Sequence, residues 1–368
     1  MRRREIMHPQ GKGTGAEGGG SVKTSDRELA ALFSQAELAQ TFLVTHDARI
    51  RSSLQRQVES GKVVRPARGV YARASYWRAI TPPQRMLHLM RSLQALHPDW
   101  TFCHESAAVA FGLSVPFERL GDVHVATSRA NRTSSTGTIR WHVVERDEFV
   151  FRQGLRVTSL PRTTFDCMRT ARFGHALAVA DSALRLTGSR PSSFVSQFRR
   201  ISNGHAGTRH AIRTMYCADA QSESGGESLA RAAMIEQGFA LPRLQVALPQ
   251  PMDGERSFRV DFLWTRLDGS HVIGEFDGMQ KYEDASLRNG RSPLRVLADE
   301  QHRESQLTLY GMPIARFSYY DVLRPAVFAS ILDRYGIPRS DEIARAERRL
   351  ARSKSASALL FTVENFAD

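Results

Sequence analysis

Arg259-Val260-Asp261-Phe262-Leu263-Trp264 and Ile273-Gly274-Glu275-Phe276-Asp277-Gly278 decide how the C-terminal half folds. Both stretches alternate in the manner of strands. Asp261 sits within an otherwise apolar strand, a place from which carboxylates are normally expelled. Period two puts Glu275 and Asp277 on one face of the following strand, with Cα atoms about 7 Å apart. If Asp261 faces the same way, three acids converge at a sheet edge. Anions so close stay ionised only beside a cation. A hard, oxygen-liganded ion, one Mg²⁺ or Mn²⁺, is the natural occupant. Such an ion would polarise a phosphate and activate water.

Outward from these strands the pattern reads as a helix at Glu227–Gln237, then strands at Leu244–Leu248, Ser257–Trp264 and His271–Asp277. A helix at Leu297–Tyr310 precedes a last strand at Pro313–Ser318. This αβββαβ order predicts a mixed sheet with helices packed on it. Each acid also has a plainer reading. Ser224 to Glu227 fits S-x-x-E, so Glu227 caps its helix; Asp277-Gly278 is a turn signal; Glu300, Arg303 and Glu304 fit a salt-bridged helix surface.

Residues 221–323 resemble the PD-(D/E)XK nuclease superfamily, in its branch like the very-short-patch repair endonucleases. The resemblance rests on Glu227, Asp261 in V-D-F-L-W, Glu275 with Asp277 in G-E-F-D-G, Arg303 with Glu304, and the closing strand Ile314-Ala315-Arg316-Phe317 after Gly311. It implies that Asp261, Glu275 and Asp277 hold the metal. It also implies a lysine, two residues after the second acid, that orients water. Asp277 occupies that position here, which leaves Lys281 or Gln280 as the group to swing in.

The N-terminal region reads differently. Leu29, Leu32 and Phe33 share a helical face, and Ser34 with Glu37 forms a capping box for a second helix. A third helix spans Asp47–Ser60 with Ile50, Leu54 and Val58 as its buried stripe. Its other faces carry Arg49, Arg51, Ser52, Ser53, Gln55, Arg56 and Gln57, groups that bond to phosphates and base edges. Lys62 to Ala72 then forms two short strands about a basic turn, with Lys62, Arg65 and Arg68. Helices followed by a basic hairpin predict a winged helix-turn-helix that contacts DNA through helix and wing. A small helical module with a solvated basic face, or one used for protein contacts, has the same pattern.

From Pro82 to about Arg200 the chain reads as mixed α/β. Helices are expected at Gln84–Ala95, Glu105–Gly112, Ser159–Arg169 and His175–Leu186, and strands at Asp122–Thr127 and Thr138–Val144. Ser128–Thr133 between those strands reads as a hairpin tip, and His124 with His142 as a packed pair. Residues 27–186 resemble the AbiEi family of antitoxins from abortive-infection systems. The resemblance rests on Arg68-Gly69-Val70-Tyr71, His104-Glu105-Ser106-Ala107-Ala108 and Leu160-Pro161-Arg162-Thr163-Thr164. It implies operator binding, self-repression and a cognate toxin protein as partner, in a toxin–antitoxin or phage-defence setting.

The fold class expected is α+β and multidomain: a disordered basic tail (1–26), the winged helix-turn-helix (27–75), a middle domain (76–203), a Gly/Ser-containing linker (204–226), the restriction-endonuclease-like domain (227–338) and a helical tail (339–368). A formal charge of +13 favours polyanionic partners, DNA first. Three scattered cysteines, Cys103, Cys167 and Cys217, suit a reducing cytoplasm and not a zinc framework. Neither a signal peptide nor an apolar run of ~18 residues is seen, since Asp181 interrupts the best candidate; no membrane is expected. Two functions follow as expectations: a DNA-binding protein with a metal-dependent endonuclease-like domain, or an inactive, antitoxin-like repressor.

Overall fold

The computed structural model describes residues 26–128, 137–144, 148–202, 204–278, 303, 305–342 and 345. Within them the fold is α+β, in two compact units that part between Thr81 and Pro82. The N-terminal tail, most of the 128–133 loop, Gln280, Lys281, Glu300, Glu304 and most of the C-terminal tail lie outside the described residues.

The first unit runs α1 (Asp26–Leu38), β1 (Leu43–Val44), α2 (Ala48–Glu59), β2 (Val63–Ala67), β3 (Val70–Arg73) and α3 (Ala74–Ala79). The strands form an antiparallel sheet in the order β1-β3-β2. Leu29, Phe33, Leu43, Leu54, Val63 and Tyr71 make its core. Asp47 starts α2, because its Oδ1 accepts from the backbone N–H of Arg49 at 2.7 Å.

The expected break at Ser34 does not occur: α1 continues unbroken to Leu38. Glu37 is claimed by Arg73 on β3, whose Nε donates to Oε1 at 2.7 Å, while Nη2 donates to Ser34 Oγ at 3.3 Å. A charged donor across the fold outbids a local cap, and continuing the helix leaves no extra orphan N–H groups.

The second unit opens with α4 (Pro82–Leu96) and α5 (His104–Phe111), followed by β4 (Val123–Thr127), β5 (Ile139–Val143), β6 (Phe149–Arg152) and β7 (Leu155–Thr158). β4 and β5 pair in parallel, so they do not form the antiparallel hairpin expected. Phe102 bridges β4 to β7, hydrogen-bonding Arg156 O and Thr158 N, which knits the two strand pairs together. Four helices come next: α6 (Leu160–Thr170), α7 (Phe173–Thr187), α8 (Pro191–Ile201) and α9 (Thr208–Tyr216).

Within 204–226, read as a linker, α9 is a packed helix. Its Ala211 and Met215, four residues apart, are fully buried beside Phe165, Leu184 and Phe198. α10 (Gly225–Glu236) then lies on α7. The joint holds a buried ion pair, Arg231 Nη1 to Asp181 Oδ2 at 2.7 Å, with Arg231 also donating to Cys217 O and Asp181 accepting from Asp219 N. The charge that interrupts the apolar run of α7 thus has a dedicated partner.

A four-stranded sheet completes the unit: β8 (Arg243–Gln250), β9 (Asp253–Thr265), β10 (His271–Asp277) and β11 (Ile314–Ser318), ordered β11-β10-β9-β8. Only β10 with β11 is parallel. α11 (Tyr319–Val322) and α12 (Pro325–Arg334) follow. Phe262, Trp264, Phe276, Phe317 and Phe328 form an aromatic core together with Ala230 and Met234 of α10. Val260, Leu263, Ile273, Val246 and Leu307 form a second cluster.

Candidate functional site

The alternation of the sheet slips at one level. Leu244 packs in the aromatic core but Val246 in the second cluster, and Phe262 and Val260 part in the same way. Residues two apart normally share a face. Gln245, between the first pair, has φ +50°, the left-handed region that a non-glycine residue adopts at a cost. Asp261 lies between the second pair. The β9–β10 ladder also stops here, at Phe262 opposite Gly274.

The acids divide at this slip. Asp261 Oδ2 accepts the N–H of Phe276 at 2.9 Å, beyond the ladder's end, and Oδ1 lies 3.5 Å from Gln245 Nε2. Gln245 Nε2 also donates to Glu227 Oε2 at 2.9 Å, and that same oxygen accepts from Glu223 N. Ser224 caps α10 through Glu227 N as S-x-x-E predicts, yet the Glu227 carboxylate turns inward. It is only 6% exposed, and burial pushes its carboxyl above the usual range, with Asp261 adding to the rise. Gly226 permits the approach of α10 to the sheet, since a Cβ there would lie 2.1 Å from the Phe276 ring.

Glu275 follows Ile273 onto the second cluster's face and is 8% exposed. Arg303 Nη2 donates to its Oε1 at 2.9 Å and to Arg259 O at 2.6 Å. Asp277, more exposed, has Arg316 Nη1 at 4.0 Å, from the strand paired beside it. Arg259 in turn pairs with Glu223 at 2.6 Å. Among the described residues no group of three or more His, Cys, Asp or Glu side chains is spaced to hold a metal ion. The slip turns Asp261 to the Phe276 amide, and the guanidinium groups of Arg303 and Arg316 stand beside Glu275 and Asp277. Sequence reasoning missed Gln245. A lone polar residue in L-Q-V-A-L is its sole signal.

A basic surface lies on the first unit. Arg49, Arg51, Ser52, Gln55 and Arg56 are exposed on α2, and Lys62, Arg65 and Arg68 on the hairpin. Residues 48–68 hold six Lys or Arg against one carboxylate, Glu59. Arg49 is partly engaged, 3.2 Å from Asp47, and Gln55 donates to Glu59 at 3.1 Å. Ser53 is a correction. It is 7% exposed, because it follows Ile50 by three residues and so turns with Leu54 toward the core.

A second polar cluster lies in the middle of the chain. His124 Nδ1 and His142 Nε2 are 2.8 Å apart, and His104 stacks on His142 with centroids at 3.8 Å. Burial pushes His124 and His142 down to about 4 and His104 well below the usual histidine range, so all three are neutral at neutral pH. Glu105 pairs with Arg119 beside them.

No family model matches the chain. Two proteins of Mycobacterium tuberculosis are similar to it: Uncharacterized protein MT2308 of strain CDC 1551 / Oshkosh and Uncharacterized protein Rv2248 of strain ATCC 25618 / H37Rv. Each is 28% identical over 275 residues, covering 74% of this chain and 92% of the relative. Among the described residues no helix is long and apolar enough to cross a membrane.

Proposed function

We propose that the protein is a DNA-binding regulator whose N-terminal unit grips duplex DNA as a winged helix and whose C-terminal module is an endonuclease-like scaffold that does not cut. The carrying observation is the exposed row of Arg51, Arg56, Ser52 and Gln55 on α2, continued by Lys62, Arg65 and Arg68 on the hairpin. A helix of this kind enters the major groove while the hairpin follows the phosphates. The Arg303–Glu275 pair supports the non-cutting half of the reading, since the carboxylate's charge is already met by a guanidinium. The likeness to AbiEi antitoxins supports operator binding with a cognate toxin as the further partner.

Fluorescence anisotropy with a labelled duplex tests the grip. Affinity is expected to fall linearly in log salt, with a slope of about −0.9 for each phosphate contacted. Arg51→Ala with Arg56→Ala is expected to lower affinity about tenfold or more and flatten that slope. An unchanged slope would refute the assignment of this face.

A second reading, a metal-dependent nuclease, draws on buried Glu227 and its link through Gln245 to Asp261. It predicts nicking of supercoiled DNA in Mg²⁺ that Asp261→Ala abolishes while binding persists.

A further inference from the structure

We propose that β6 is the strand through which two copies of this chain associate, pairing antiparallel with its own counterpart. Among the described residues β6 pairs only with β7, and all four of its residues are exposed. The bare edge carries Phe149, Val150 and Phe151, at 45%, 38% and 69% exposure. Open edges template further pairing, and monomeric proteins usually blunt them with charge, proline or a covering element.

The turn fixes the register. β6 and β7 are joined by Gln153 and Gly154, with φ of +51° and +78°, the two-residue type I′ geometry. In such a hairpin the closing pair, Arg152 and Leu155, is hydrogen-bonded across the strands. By alternation Val150 also directs its N–H and C=O toward β7, while Phe149 and Phe151 direct theirs outward. A strand added to this edge must meet those two residues. Twofold pairing centred on Val150 places Phe149 opposite the second copy's Phe151, twice over, as hydrogen-bonded pairs. It also sets Glu148 opposite Arg152 at both ends.

This arrangement is self-complementary in charge. Glu148 and Arg152 are exposed, and neither forms an ion pair among the described residues. Centring on Phe149 or Phe151 instead loses both charge pairs. The aromatic side of the strand is already ordered: Phe149 and Phe151 meet edge-on at 5.8 Å, and the Arg156 guanidinium lies 3.6 Å from the Phe149 ring centre. Cross-strand aromatic and opposite-charge pairs each favour such a pairing. Because the same patch serves both copies, the contact closes at a dimer. The inference does not depend on DNA binding.

Sedimentation equilibrium of the full chain tests it, with Glu148→Arg, Arg152→Glu, the double exchange and Phe151→Pro. Wild type is expected to dimerise reversibly with concentration. Each single reversal sets like charges opposite each other twice and is expected to weaken the dimer about tenfold. The double exchange should restore it to within about threefold of wild type. Phe151→Pro removes an outward N–H and should leave a monomer. A wild type that stays monomeric overturns the proposal and leaves the edge to a strand of another protein. Single reversals without effect, or a double exchange that fails to restore the dimer, overturn it equally.

Discussion

Arg303 stands 2.9 Å from Glu275 and brings a positive charge to it. Truncating it removes one counter-charge from a nearly buried carboxylate, at a cost on the order of 1–3 kcal/mol. Arg303→Ala is therefore expected to lower the thermal midpoint and to gain stabilisation from Mn²⁺ that wild type lacks. Equal metal shifts in both proteins would show that the guanidinium does not substitute for a cation. The histidine group makes a pH prediction. His124 and His142 titrate near 4 in the fold, against about 6.5 unfolded. The unfolded chain takes up protons first, so this contribution is intact above pH 6.5 and lost as pH falls from there toward 4. Urea midpoints should decline across that window, and the decline should lessen in His124→Asn. A flat profile would refute the assignment.

Among the elements, α2 was the most legible. Its Asp47 cap, its Ile50–Leu54–Val58 stripe and the hairpin after it all emerge where periodicity and turn chemistry agree. β10, His271–Asp277, was equally plain, because Glu275 and Asp277 alternate with apolar positions at its end. β6, β7, α8 and α9 went unread: the strands are four residues each, and the helices follow Gly/Ser-containing or basic segments that resemble loops. Strict alternation also failed at Asp261, since no sequence rule announces the left-handed backbone of Gln245. Of the acids, Glu227, Asp261 and Glu275 stand out in the sequence, but their partners Gln245 and Arg303 depend on how distant segments meet. Leu54→Ala tests the core of α2. Leu54 is fully buried, and its truncation is expected to cost roughly 2–5 kcal/mol by urea denaturation. A loss below 1 kcal/mol would mean that the helix is held otherwise.

For the molecule as a whole, charge and a buried joint matter most. A net +13 draws polyanions to the chain, and the α2–hairpin region offers an exposed basic surface for them. In the second unit, Asp181 and Arg231 tie α7 to α10, where a linker was expected. Burial pushes the Asp181 carboxyl upward even with Arg231 beside it. Asp181→Ala strands a buried guanidinium and is expected to cost about 3–5 kcal/mol, read as a shifted urea midpoint. A variant as stable as wild type would contradict a load carried by that pair.

The most direct measurement incubates the protein with an end-labelled duplex in Mg²⁺ and resolves it on native and denaturing gels side by side. The expected result is a retarded complex that weakens as salt rises, with every strand intact. Free, unshifted DNA, or strands broken in Mg²⁺ and spared by chelator, would contradict it.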